Sequence, residues 1–127
     1  MDIDSTVVPQ GSPMEWGRWL CRRRRLMRVT GRSMVPTLQP GDLLFVKPLR
    51  LSERVEANAL VVAVHPQQTD LKIIKRVGAI FPDGRYFLTS DNPAEGTDSR
   101  SFGALPPSSI VGFVTGYAIQ MADRSRP

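Results

Sequence analysis

Leu71-Lys72-Ile73-Ile74-Lys75-Arg76-Val77-Gly78-Ala79-Ile80, followed by a Pro82-Asp83-Gly84 turn and then Arg85-Tyr86-Phe87-Leu88-Thr89, reads as a β-hairpin. β-Branched and aromatic residues fill both arms, and the turn residues between them set the reversal. Side chains alternate across a strand, so Leu71, Ile73, Lys75 and Val77 share one face, with Lys72, Ile74 and Arg76 on the other. The first face should be buried, which places Lys75 in line with three aliphatic residues. Lysine is rarely buried without a reason, and desolvation lowers its pKa toward the range in which an amine acts as a base. An edge strand would instead let Lys75 snorkel to water.

Outward from the hairpin, apolar runs at 43–47, 59–64 and 110–119 read as further strands, and Leu26-Met27-Arg28-Val29 as an extended lead-in. Gly112 and Gly116 mark candidate bulges in the last strand. Eleven prolines and ten glycines punctuate these runs, so the composition favours a loop-rich β domain over a helical bundle. At 127 residues the chain holds one core. The expected organisation is a flexible N-terminus with a basic amphipathic helix or arm over 1–28, one β domain over 29–122, and a tail over 123–127.

The arm starts at Ser12-Pro13-Met14-Glu15, with Ser12 as N-cap, Pro13 at the first helical position and Glu15 placed for a capping box. Trp16, Trp19 and Leu20, continued by Arg23 and Met27, form a stripe at helical spacing beside Arg22, Arg23, Arg24 and Arg25. Residues 1–32 hold seven arginines against Asp2, Asp4 and Glu15, so most of the net +5 belongs to the arm. The stripe either packs on the domain or lies on an anionic membrane surface, with Trp16, Trp19 and the arginine run as contacts. No nucleic-acid-binding signature accompanies the arginines, and no nucleic-acid partner is expected. No apolar run reaches the ~18–20 residues of a spanning helix. The single Cys21 cannot make an internal disulfide, so a cytoplasmic protein, at most peripheral to a membrane, is the simplest reading. No Cys, His and carboxylate cluster has metal-ligand spacing, so neither metal nor cofactor is expected.

Gly31-Arg32-Ser33-Met34-Val35-Pro36-Thr37-Leu38-Gln39-Pro40-Gly41-Asp42 precedes the 43–47 strand. Two prolines stiffen it and glycines open it, which makes a shaped loop displaying the Ser33 hydroxyl. Many serines in such turns serve only their own backbone. Paired with Lys75, however, Ser33 becomes a candidate nucleophile of the Ser-Lys kind, with its own N–H as an oxyanion donor. His65, the one histidine, sits in a turn before Pro66 and is a poor candidate base. The stretch 90–103 alternates carboxylates, hydroxyls and an arginine, and on composition alone is an ordinary solvated loop.

Taken together, three stretches resemble the serine endopeptidases of the signal peptidase I family. Gly-Arg-Ser-Met-Val-Pro-Thr-Leu with Pro-Gly-Asp is similar to its nucleophile box. Ile74-Lys75-Arg76-Val77 is similar to its general-base box. Ser90-Asp91-Asn92 with Asp98-Ser99-Arg100 and Phe102-Gly103 resembles its third box. The resemblance implies Ser33 as nucleophile and Lys75 as base, in a groove of a small signal-peptidase-like and LexA-like β domain. It also implies that Arg76, Asp91, Asp98 and Arg100 support the site by ion pairs, that Met34 shapes the loop, and that substrate binds as an added strand. Gly31 stands where some relatives carry a second oxyanion hydroxyl. Gly96 stands where some carry a serine that bonds the lysine, with Thr97 beside it as a substitute. The small size and the Gly-x-Ser-Met and Ile-Ile-Lys-Arg-Val sequences look most like the nickel-type superoxide dismutase maturation proteases. That likeness implies removal of an N-terminal propeptide from a nickel superoxide dismutase precursor. A peripheral signal peptidase, a self-cleaving domain and a non-enzymatic basic module are the competing readings.

Overall fold

The computed structural model describes residues 12–20, 23–50 and 52–121. Helix α1 (Pro13–Leu20) precedes six strands, β1 (Arg25–Arg28), β2 (Leu43–Pro48), β3 (Leu60–Val64), β4 (Lys72–Ile80), β5 (Tyr86–Thr89) and β6 (Ile110–Ile119). A one-turn helix, α2 (Ser99–Phe102), lies between β5 and β6. The strands form one antiparallel sheet in the order β1-β2-β6-β3-β4-β5. The expected mainly β domain with one short N-terminal helix is therefore the observed architecture.

Apolar side chains cover both faces of the sheet. On one face Leu44, Val46, Leu60, Val62 and Tyr117 pack with Val29, Met34 and Leu38 from the loop after β1. On the other, Val61, Ala63, Val77, Leu88 and Ile110 pack with Val55 and Leu105 from connecting segments. Ile73 belongs to the second cluster and Ile74 to the first, so β4 alternates as expected but is buried on both sides. That is why Arg76 is as enclosed as Lys75, at 7% and 5% exposure. Leu71 instead precedes the strand and is exposed.

The β4–β5 hairpin closes as expected, with the Phe81 N–H donating to Arg85 O at 2.8 Å and Gly84 at φ +92°. Its register skips from Val77↔Leu88 to Ala79↔Phe87, so Gly78 is a bulge, where a Cβ would meet the Thr89 side chain at 2.7 Å. In β6 the skipped residues are Val111 and Thr115, each beside a glycine rather than on it, and Ala118. Gly112 serves a close approach instead: a Cβ there would lie 2.4 Å from Lys47 O.

Helix α1 ends at Leu20, so Met27 lies on β1 and does not extend the tryptophan stripe. The Ser12 cap forms, its Oγ accepting the Glu15 N–H at 3.3 Å. The Glu15 carboxylate does not complete a capping box. It faces Thr115 Oγ1 at 2.8 Å, Arg24 at 3.3 Å and Arg18 at 3.5 Å, which ties the helix to β6. Trp16 stands edge-on to buried Phe45 and to Trp19, at 5.0 and 6.0 Å between ring centroids. Both tryptophans keep 37% exposure and Met14 keeps 63%. Arg24 is taken up by Glu15 while Arg23 and Arg25 stay exposed; Arg22, Cys21 and the 1–11 and 122–127 termini lie outside the described residues. No helix among the described residues is long and apolar enough to cross a membrane.

Candidate active site

The loop after β1 is built from its own sequence. Gly31 at φ +75° and Gly41 at φ +94° make its two left-handed turns, and the Val35–Pro36 peptide is cis. Asp42 closes the base of the loop, its carboxylate accepting from the Gln39 and Met121 N–H groups at 2.9 and 2.7 Å. Met34 and Leu38 turn into the core at 2% and 0% exposure, and the Leu38 N–H donates to Met34 O at 2.9 Å. Tyr117 donates its hydroxyl to Thr37 O at 2.6 Å. Burial and the nearby Asp42 charge push the Tyr117 pKa up to about 12, so that donor keeps its proton. Burying its apolar residues leaves Ser33, between Arg32 and Met34, presented to β4.

Lys75 Nζ lies 2.9 Å from Ser33 Oγ. Burial lowers the Lys75 pKa from its ordinary value, with the Asp98 charge opposing in part. The amine thus sits where its neutral form is favoured and where a hydroxyl proton is within reach.

The next residue, Arg76, points to the other face and grips the same loop. Its Nε and Nη2 meet Asp91 Oδ1 and Oδ2 at 2.9 and 2.8 Å, a bidentate pair, while Nη1 donates to Asn58 O at 2.8 Å. Asp91 Oδ2 also accepts from Thr37 Oγ1, and the Asp91 N–H faces Met34 Sδ at 3.4 Å. Burial raises the Asp91 pKa, but the hydrogen bonds from Arg76 and Thr37 and the Arg76 charge outweigh it, leaving the carboxyl below its usual range. Consecutive residues of one strand therefore hold the loop from both sides, Lys75 at Ser33 and Arg76, through Asp91, at Thr37.

Residues 93–97 are exposed as expected, but the stretch 90–103 is pinned to the Ser33 loop and by the buried Asp98 and Ser99. The Asn92 N–H donates to Ser33 O at 2.8 Å, the Asn92 amide donates to Arg32 O at 3.0 Å, and Arg32 pairs with Glu95 at 2.8 Å. Asp98, 1% exposed, caps α2 by accepting from the Arg100 N–H at 3.0 Å, from the Ser90 N–H at 2.8 Å and from the Arg100 guanidinium at 2.9 and 3.0 Å. Burial raises its pKa, but these bonds prevail and hold it low.

Of the residues singled out from the sequence, Ser33, Met34, Lys75, Arg76, Asp91, Asp98 and Arg100 come together around the loop. Gly31 lies exposed at its entrance with nothing near the place a Cβ would take. Thr97 is exposed, whereas Ser90 is buried, its hydroxyl and Ser33 both facing the space beside Gly96. Sequence reasoning missed Thr37, Asn92, Ser90 and Tyr117. Thr37 and Asn92 stand inside the quoted boxes, but Tyr117 is found only through the fold. His65 is buried, its ring edge on Phe102 and its Nδ1 accepting from the Gln67 N–H at 3.0 Å, a packing and turn role.

Mitochondrial inner membrane protease subunit 1 from Mus musculus and from Homo sapiens are each 29% identical to this chain over 103 residues, 65% of it. The matched part is 62% of those proteins, so the chain spans about three fifths of the length of these curated relatives. Residues 18–114, which contain the end of α1, the Ser33 loop, Lys75 and the Asp91–Asp98 segment, match the family described as Peptidase S24-like, and the chain belongs to that family.

Proposed function

We propose that the chain is a serine endopeptidase in which Ser33 attacks a peptide carbonyl and Lys75 is the general base. The observation that carries this reading is a 2.9 Å contact between Ser33 Oγ and a buried lysine amine of lowered pKa. Neutral Lys75 takes the Ser33 proton as the Oγ–carbonyl bond forms, then delivers it to the leaving amine as the peptide C–N bond breaks. In the second half Lys75 takes a proton from water as its oxygen attacks the acyl carbonyl, then returns it to Ser33 Oγ as the Oγ–acyl bond breaks. The Ser33 N–H, from which no described residue accepts, supplies one oxyanion donor.

The substrate we propose is a proprotein that loses a short N-terminal extension, with a nickel-type superoxide dismutase precursor as the first candidate. The small domain and its Gly-x-Ser-Met and Ile-Ile-Lys-Arg-Val sequences support that choice. Incubation with candidate proproteins, with new N-termini read by mass spectrometry, tests it. Cleavage should vanish in Ser33→Ala and Lys75→Ala, and full activity in Lys75→Ala would remove the pair from consideration.

A second reading, a peripheral protease acting on membrane-delivered substrates, draws on α1. The helix carries exposed Trp16, Trp19 and Met14, and its Arg18 lines a cleft of about 740 Å³ with Arg23, Arg24, Lys47, Arg50 and Phe113. Apolar side chains beside cations suit an anionic lipid surface, and the relatives are named for an inner membrane. Cosedimentation with phosphatidylglycerol vesicles but not with phosphatidylcholine vesicles is the expected result. Equal recovery with both, or none, would remove it.

A further inference from the structure

The cationic cleft has none of the Ser33-site residues in its lining, and the peptide chemistry above makes no use of it. Its floor includes the sheet, where Lys47 on β2 pairs with Phe113 on β6 and Lys47 Nζ stands 5.3 Å from the Phe113 ring centroid. Arg18 of α1, Arg23 and Arg24 after it, and Arg50 after β2 supply the other cations. Glu15 is shared by Arg18 and Arg24, and Glu53 takes Lys47. Arg23 and Arg50 have no ion-pair partner among the described residues. Five cations thus face two carboxylates, a surplus of three charges in one concavity. A cleft lined by one sign of charge concentrates anions of the other.

The sheet register relates this cleft to the catalytic pair. Phe113 also pairs with Val61 on β3, and Val61 pairs with Lys75 on β4. Lys47, Phe113, Val61 and Lys75 therefore form one row across four adjacent strands, with their side chains on one face. Neighbouring strands lie about 4.8 Å apart, so three steps put the Lys47 and Lys75 backbones about 14 Å apart. An extended peptide covers that span in about four residues. One substrate chain is long enough to occupy the cleft and the Ser33 site together.

We propose that the cleft is an exosite for the protein substrate, binding an acidic stretch of it through arginine–carboxylate contacts while the scissile bond lies at Ser33. This rests on the Ser33–Lys75 reading above. Guanidinium forks match carboxylates with paired hydrogen bonds, and the surplus charge suits a stretch of about two or three Asp or Glu residues. Phe113, Pro48 and Leu49 give the lining an apolar part, against which the neighbouring substrate side chains lie and which a bare inorganic anion leaves unused. A bilayer is flat on this scale and meets the rim of a concavity rather than its floor. The cleft touches no reacting atom, so it acts on substrate binding and leaves the chemical step alone.

The test uses the full chain as Ser33→Ala, which leaves bound peptide intact, with rhodamine-labelled hexa-aspartate read by fluorescence anisotropy at low salt. Adding Arg23→Gln and Arg50→Gln should weaken binding about tenfold with melting temperature unchanged. Lys72→Gln with Arg85→Gln removes the same charge from exposed positions outside the cleft and should leave binding as it was. Hexa-asparagine should not bind. Equal binding of both peptides, or equal binding by both double variants, would overturn the proposal. So would displacement of hexa-aspartate by phosphatidylglycerol vesicles at equal charge, which would assign the cleft to lipid. On a proprotein that the wild type cleaves, changing its acidic stretch to the amides should raise KM about tenfold and leave kcat alone. An unchanged KM refutes the exosite and spares the peptidase. If the wild type cleaves no proprotein while Ser33→Ala still binds hexa-aspartate through Arg23 and Arg50, the peptidase reading falls and the cleft remains a site for acidic peptide.

Discussion

Gly96→Ala is the sharpest small perturbation of this site. Gly96 has φ −173° and ψ 160°, an extended conformation open to any residue, so alanine meets no backbone strain and its effect on the folded state is steric. The new methyl carbon would lie 2.4 Å from Ser33 Cβ, where ordinary contact begins at 3.4 Å, so the two must separate by about 1 Å. The Ser33 carbonyl is held by Asn92 and its side chain by Lys75, so the displacement falls on the 2.9 Å contact between serine and amine. A shift of that size takes Oγ to the limit of hydrogen-bonding distance. Misplacement by about 1 Å costs on the order of a hundredfold in rate. Overpacking destabilises by about 1–3 kcal/mol, offset by about 0.4–1 kcal/mol from the stiffer unfolded chain. The expected result is a large loss of kcat with a urea midpoint only modestly lowered, measured on the proposed peptide cleavage and by tryptophan fluorescence. Wild-type kcat in a folded Gly96→Ala protein would refute the tight packing of residue 96 against the serine.

Other perturbations separate the parts of the site. Cleavage should rise with pH as Lys75 loses its proton, along a limb centred below the ordinary 10.5. The unfolded chain binds that proton more tightly, so stability also gains as pH rises from the folded-state value toward 10.5, readable in urea unfolding across pH. Asp91 and Asp98 act in the opposite range. Their folded-state values lie below the ordinary 3.8, so the stability they contribute is complete above 3.8 and is lost as pH falls through the lowered values. Asp91→Ala leaves the Arg76 guanidinium without its bidentate partner and should cost about 3 kcal/mol in urea unfolding. Tyr117→Phe removes the donor to Thr37 O and should cost about 1 kcal/mol with a smaller effect on rate.

The part of the site carried by short-range pattern was legible in the sequence. Period-two alternation picked out Lys75, and two prolines between glycines gave the shape of the Ser33 loop. The same alternation was silent about Arg76, because a sheet covered on both faces has no solvent side to contrast with the buried one. The tryptophan spacing overran because helical periodicity carries no stop signal at Leu20, and pairing with β2 claims residues 25–28 as strand. The Glu15 carboxylate fits a capping box locally, yet it meets Thr115, a hundred positions away. Residues 90–103 read as solvated by composition and 93–97 are exposed, but buried Ser90, Asp98 and Ser99 went unseen, since polar residues that satisfy one another internally read the same as polar residues facing water.

The strand order decides when Ser33 and Lys75 can meet during synthesis. β6, the last strand, lies between β2 and β3, and every hydrogen bond joining the two halves of the sheet passes through it. Ser33 follows β1 on one side of that seam, and Lys75 lies on β4 on the other. A ribosome must therefore release residues 110–119 before serine and lysine can be held together by the sheet.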